Sequence, residues 1–321
     1  MPRVFLIDTD TASDDAVALI MALKAPDVEV AAITVVAGNV GVDQACRNAL
    51  YTVELCGSAV PVFRGADAPL ARPLEDASWF HGRDGLGDQG YAAPRRSVEN
   101  ASACDAIIAA AEKHAGLTLV TLGPLTNIAM ALRRQPDLAK RIGRCVVMGG
   151  APCCEGNVTP AAEFNIWCDP EAAHLVIHSG LPLELIGWHL CRGDAVLCDE
   201  DIRRVLALDT PLARFAIECN CTARAAYLEQ TGEHGISLPD PVAMSIALDP
   251  TIGTAWSTHN VDVETSSNLT RGMTVVDRLG VAGNSRNRLI WRDLLQNAAN
   301  TKVCWTIDVA RWKSALYASL A

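Results

Sequence analysis

The sequence predicts an α/β protein built on one open, mainly parallel β-sheet flanked by helices, with a Rossmann-like core. Two observations carry this. Short runs rich in Val, Ile and Leu alternate with longer stretches of helical periodicity, and several of the runs close on a marked turn. The first run, Val4-Phe5-Leu6-Ile7, reads as a buried strand, and a helical pattern from Ala16 to Leu23 follows it. Next come a strand over Val28 to Val36 and a helix over Asp43 to Cys56, then Leu117 to Leu122 with Pro124 to Arg133. Cys145 to Met148 with Asp169 to His178, and Leu183 to Gly187 with Asp199 to Leu206, repeat the pattern. Such βαβ units have right-handed crossovers, which gather the carboxyl ends of the strands on one rim. Asp10, Asn39, Leu122, Met148 and Trp188 fall at or just beyond those ends, so a ligand is expected there. After about Asp249 the pattern loosens, with strands expected at Ala255 to Val263, Met273 to Asp277 and Val303 to Asp308 before a terminal helix. No repeat, low-complexity tract or Pro/Gly/Ser linker divides the chain, so residues 1–321 are read as one domain. Stretches at about 65–96 and 151–165, together with 221–240, are the candidate loops over the site.

Composition narrows the function. Half of the 321 residues are apolar and 20% are charged, with no uninterrupted apolar stretch long enough to span a bilayer. The first ten residues turn acidic after one short apolar run, unlike a signal peptide, so a cytoplasmic location is expected. A net charge of −10 argues against nucleic acid or an anionic membrane as a partner and favours neutral molecules and cations. None of the twelve cysteines pair as C-x-x-C, and Cys153-Cys154 and Cys219-Asn220-Cys221 have spacings unsuited to zinc ribbons, so free thiols are expected. His174 and His178 are spaced as zinc ligands can be, but Leu175 stands where a metalloprotease helix has Glu, which leaves a solvated or core pair as the expectation.

The densest chemical signal is Asp8-Thr9-Asp10-Thr11-Ala12-Ser13-Asp14-Asp15, between the first strand and its helix. Four carboxylates this close repel one another, and a hard, oxygen-seeking divalent cation would offset the cost. Asp8-Thr9-Asp10 alone suits two unrelated enzymes. Phosphatases of the haloacid-dehalogenase type need Thr or Val two places after the second aspartate, where this chain has Ala12, and they leave Asp14-Asp15 without a role. The D-x-D-x-x-x-D-D-A pattern of Asp8, Asp10, Asp14, Asp15 and Ala16 instead resembles the opening of the nucleoside hydrolase family. Further segments match that family in order: Val35-Val36-Ala37-Gly38-Asn39, Gly123-Pro124-Leu125-Thr126-Asn127-Ile128-Ala129, Met148-Gly149-Gly150, Gly156-Asn157 to Ala162-Glu163-Phe164-Asn165, and Asp169-Pro170-Glu171-Ala172-Ala173.

The resemblance implies a Ca²⁺-dependent hydrolase of the N-glycosidic bond of ribonucleosides, acting in nucleoside salvage as a homodimer or homotetramer. By the same resemblance Asp10, Asp15, Asp240 and the Leu122 carbonyl hold the calcium, and Asp10 is the general base. Asp14, Asn39, Met148 and Asn165 meet the ribose, while Asn157 and Glu163 meet its 5′ hydroxyl. Several residues also have structural readings. Asp240-Pro241 and Asp169-Pro170 both look like helix starts with aspartate as N-cap. Asp8, Thr126 and Asn127 suit backbone-satisfying roles, and Met148, Trp188 and Trp256 suit a core. The chain departs from the family where many members have a histidine before the aspartate matching Asp240, since Pro239 has no proton to give a departing base. His81, in Trp79-Phe80-His81-Gly82-Arg83-Asp84-Gly85, is the candidate base contact or proton donor in its place. Loss of the usual acid raises one alternative, a substrate whose base leaves easily or is already cationic; a rival of another class is a catalytically silent, calcium-dependent ribose- or nucleoside-binding protein, against which the retention of Asp10 weighs.

Overall fold

The computed structural model describes residues 2–287 and 300–321. Its strands are β1 Arg3–Thr9, β2 Val28–Val35, β3 Val62–Arg64, β4 Leu117–Thr121, β5 Ile142–Met148, β6 Leu183–Ile186, β7 Gly253–His259, β8 Val261–Val263, β9 Thr274–Val276 and β10 Thr301–Ile307. Eight of them form one sheet in the order β3-β2-β1-β4-β5-β6-β10-β7, and β8 pairs with β9 apart from it. Every pairing in the large sheet is parallel except β10 with β7. The chain winds outward from β1 through β2 to β3, then returns to β4 on the other side of β1. A crevice therefore opens at the carboxyl ends of β1 and β4, where open α/β sheets bind ligands.

The helices are α1 Ser13–Lys24, α2 Val42–Leu55, α3 Ser78–His81, α4 Ala103–Lys113, α5 Thr126–Arg134, α6 Phe164–Cys168, α7 Pro170–Ile177, α8 Asp199–Leu206, α9 Pro211–Glu218, α10 Cys221–Thr231, α11 Pro239–Leu248 and α12 Val309–Leu320. Alternate residues of β1 point into two apolar layers: Phe5 and Ile7 pack with α1, α2, α11 and α12, and Leu6 packs with α4, α5 and α7. Burial on both faces explains why the inner parts of these strands read as mostly apolar runs. Within α1, every residue from Ser13 to Met21 is buried, and the helix packs along α11. No helix among the described residues is long and apolar enough to cross a membrane.

The expected strands and helices recur with ends shifted by a few residues, with two corrections. The run from Ala255 to Val263 is two strands in different sheets. Asn300 explains the break, since its side-chain amide accepts from Val261 N–H at 3.1 Å and donates to Val261 C=O at 3.2 Å, in place of a further strand ladder. The segment from 221 begins with a helix, α10, and only 232–238 connects it to α11.

The turn from β4 into α5 ties several elements together. Asn127 Nδ2 donates to Asp8 Oδ1 at 2.8 Å, and its Oδ1 accepts from Ala66 N–H at 2.9 Å. Thr126 Oγ1 donates to Asp169 Oδ2 at 2.7 Å. Asn127 thus satisfies a backbone group, as expected, whereas Thr126 binds a side chain instead, and Asp8 is held by side chains, Thr34 and Asn127, rather than by turn amides. Asn127→Ala removes one of the two side-chain bonds to the buried Asp8 carboxylate, leaving that from Thr34, and takes the acceptor from the half-buried Ala66 N–H, which should cost about 2 kcal/mol in urea unfolding.

Candidate active site

Asp10 sits in the turn after β1 with its carboxylate enclosed by backbone. Oδ2 accepts from Asn39 N–H at 2.6 Å. A Cβ on Gly38 would overlap that oxygen, and one on Gly123 would lie 2.6 Å from Oδ1. Glycine is therefore required in both the Gly38-Asn39 turn and the Gly123-Pro124 turn. Asp10 Oδ1 is buried and has no hydrogen-bond partner, and neither does Asp14 Oδ1.

Asp14 and Asp15 occupy the first turn of α1, where the helix dipole favours negative charge. Asp15 accepts from Thr9 Oγ1 at 2.5 Å, from Ala12 N–H at 2.9 Å and from Asn39 Nδ2 at 3.2 Å. Asp240 is not the helix cap that its Pro241 neighbour suggested. Pro239 takes the first helical position and Leu238 the cap, which turns the buried Asp240 carboxylate inward. Oxygens of Asp14, Asp15 and Asp240 all lie within 4.8 Å of one another. Asp10 stands outside that trio but within its field, since the charges of Asp15 and Asp14 act on it. Asp169, in contrast, does cap α7, accepting from Ala172 N–H at 3.0 Å.

Burial dominates the electrostatics. It raises Asp14 to about 6, raises Asp15 to about 6 with help from the charge of Asp14, and raises Asp8 to about 7 against the bonds from Thr34 and Asn127. Asp10 and Asp240 are pushed well above the carboxylate range by burial and then by their acidic neighbours. Acids crowded in this way, with orphaned oxygens, fit a hard divalent cation.

The remaining expected residues surround a cavity above the aspartates. Asn165 Nδ2 donates to the Leu122 carbonyl at 2.7 Å and lies 3.3 Å from Met148 Sδ. Glu163 caps α6: Oε1 accepts from Asn165 N–H at 2.9 Å, and Oε2 accepts from Gly150 N–H at 2.6 Å. Its carboxyl is raised to about 7 by burial. Asn157 Oδ1 accepts from Phe164 N–H at 2.9 Å. Asp14, Asn39, Leu122, Met148, Asn157, Glu163, Asn165 and Asp240 all line the cavity, and the buried Asp10 and Asp15 are hydrogen-bonded to its lining residue Asn39. His81, the last residue of α3, also lines it, with Nδ1 2.8 Å from Ser13 Oγ and 3.9 Å from Asp14 Oδ1. Burial lowers this histidine to about 4, so its ring is neutral at neutral pH. Trp188 lines the cavity, whereas Trp256 lies elsewhere, donating to Gly253 C=O under the Lys302 ammonium.

The family model described as inosine-uridine preferring nucleoside hydrolase matches residues 5–314. The chain belongs to this family. It is 38% identical over 297 residues to the pyrimidine-specific ribonucleoside hydrolase of Shewanella woodyi, covering 92% of this chain and 94% of that one. It is 37% identical over 281 residues to the inosine-uridine preferring nucleoside hydrolase of Crithidia fasciculata, covering 86% and 88%. Among solved structures, a plant nucleoside hydrolase superposes with a TM-score of 0.91 at 32% identity, covering 100% and 99%. The purine-preferring ribonucleoside hydrolase of Gardnerella vaginalis gives 0.89 at 30% identity, covering 99% and 98%.

This nucleoside hydrolase also lines its cavity with residues the sequence did not single out, among them Phe164, Val158, Ala223 and Gln230. Gln230 donates to the Asn157 carbonyl, joining α10 to the 151–165 segment across the cavity. No motif surrounds Ala223 or Gln230. The only signal was the expectation that 221–240 approaches the site.

Proposed function

We propose that this nucleoside hydrolase cleaves the N-glycosidic bond of ribonucleosides to free base and ribose with the help of Ca²⁺. The observation that carries the reading is the buried trio Asp14, Asp15 and Asp240, drawn from α1 and α11, with the buried Asp10 of the β1 turn close by, at a cavity lined by both amide and apolar side chains. Asp10, Asp15, Asp240 and the Leu122 carbonyl would hold the ion, whose donors are all hard oxygens. When bound, it supplies positive charge that aligns the vicinal diol of the ribose and eases deprotonation of water.

The protein's own groups supply the rest. Asp10, pinned between two glycines and the Asn39 amide, takes the proton of the attacking water. Direct attack on the anomeric carbon through an oxocarbenium-like state inverts its configuration. Asp14, Asn39 and Asn165 bind the ribose hydroxyls against Met148, and Asn157 and Glu163 bind the 5′ hydroxyl. The apolar walls, with Phe80, Phe164 and Trp188, hold the base by area and stacking. The whole chain acts as one domain in this scheme, because the acidic floor draws on both α1 and α11. Reducing-sugar release from inosine, uridine and p-nitrophenyl riboside, with Ca²⁺ present, tests the reading. Release from none of them overturns it.

Pro239 offers no proton, and His81 is neutral. His81 therefore acts as a hydrogen-bond donor to the departing base through its Nε2–H, with Nδ1 accepting from Ser13 Oγ. His81→Ala should lower kcat on inosine or uridine about 100-fold. Turnover of p-nitrophenyl riboside, whose leaving group needs no proton, should stay within about threefold of wild type on the same grounds. Equal losses on both substrates would remove the assignment.

A further inference from the structure

His174 and His178 stand one turn apart at the end of α7, with ring centroids separated by 4.6 Å. Asp262 faces them from β8, and its Oδ1 lies 2.7 Å from His174 Nδ1 and 3.2 Å from His178 Nε2. One ligand atom from each of the three residues falls within 4.8 Å of the other two. None of the three lines the active-site cavity. The Asp262 side chain is 12% exposed and that of His174 is 49% exposed, so the cluster is anchored in the protein and open to solvent on one side.

The spacing suits coordination. Nitrogen and oxygen ligands sit about 2.0–2.2 Å from a zinc ion, which places neighbouring ligand atoms about 3.3 Å apart in a tetrahedron. The His178–Asp262 separation already meets that, the His174–Asp262 separation must open by about half an ångström, and the two imidazoles offer ligand atoms within 4.8 Å of each other. Two imidazoles and one carboxylate form an N₂O donor set, which favours borderline ions such as Zn²⁺, Ni²⁺ or Cu²⁺ over Ca²⁺ or Mg²⁺, whose sites are built from oxygens. Glu171 lies three residues before His174 on the same helix and lines the same groove as the two histidines. Its Oε2 is buried and accepts no hydrogen bond, which leaves it free to meet a coordinated water or the ion itself.

We propose that His174, His178 and Asp262 form a second divalent-metal site, selective for zinc-like ions, which clips α7 to β8. The first turn of α7 is fastened by Asp169 to Thr126 and Leu70, so an ion at the far end pins this helix at both ends. Its role is structural, since none of its ligands lines the active-site cavity.

The test is titration of the Ca²⁺-saturated enzyme with ZnCl₂ against a chromophoric chelator, alongside thermal unfolding. Wild type should bind one Zn²⁺ per chain through these residues and unfold at a higher temperature when it is bound. His174→Ala and His178→Ala should each weaken that binding at least tenfold and abolish the thermal gain. Asp262→Asn, which preserves shape, should do the same, and unchanged ribose release would show that each variant is folded. Co²⁺ should give visible d–d bands in wild type and lose them in the variants. Zinc binding that is equal in wild type and all three folded variants, or absent in wild type, would overturn the proposal and leave the cluster as an ion pair.

Discussion

Asp10→Asn is expected to lower kcat about 10³–10⁴-fold at saturating Ca²⁺, toward the upper end of what a positioned general base contributes. Asparagine has the same shape, fits between Gly38 and Gly123, and can still accept from Asn39 N–H through its oxygen. The cavity and the fold therefore survive the change, and what disappears is the ability to take a proton. Loss of one negative charge also weakens cation binding, so the rate must be measured over a Ca²⁺ titration. A rate restored to within tenfold of wild type at high Ca²⁺ would show that Asp10 serves only as a ligand.

The second large effect concerns metal removal and its dependence on pH. Asp14 and Asp15 titrate at about 6, against an ordinary value of 3.8, and Asp8 at about 7. Glu163 titrates at about 7, against 4.5. These folded-state values lie above those of the unfolded chain, so without a cation the folded form holds protons that the unfolded form has released. The associated stability is fully present below about pH 4 and is lost as pH rises through 6 to 7. A bound divalent ion favours the charged carboxylates and cancels that loss. The melting temperatures of Ca²⁺-loaded and EDTA-treated protein should therefore be close at pH 5 and diverge toward pH 8. A gap on the order of 5 kcal/mol, or roughly 10 °C for a chain this long, is expected there. A gap that is constant from pH 5 to 8 would show that the ion does not sit in this acidic cluster.

How much could be read from the sequence depended on how local the determinant was. Strand segments buried on both faces betray themselves as mostly apolar runs, and β1, β4 and the carboxyl-terminal halves of β2 and β5 emerged that way. Strand β3 escaped because three residues at a sheet edge carry no pattern. The break between β7 and β8 escaped because its partner, Asn300, is remote in sequence. Helix α10 escaped because it buries only Ala223 and Tyr227, too little for an apolar stripe. In the site, Asp10, Asp14 and Asp15 lie together on one turn and were legible as chemistry. Asp240 was assigned through family resemblance alone, and its neighbour Pro241 pointed to a cap. The proline that decides the matter is Pro239, which starts the helix one residue earlier and frees the carboxylate to face inward.

Asp240 reaches Asp14 and Asp15 because α11 lies along α1, although the two helices come from distant parts of the chain. No short piece of this polypeptide can chelate the ion, and a nascent chain lacks the full acid set until most of it has been synthesised. A cation bound as proposed would then act as a late lock. It grips only the assembled native fold, so it retards unravelling and leaves the search for that fold to proceed unaided.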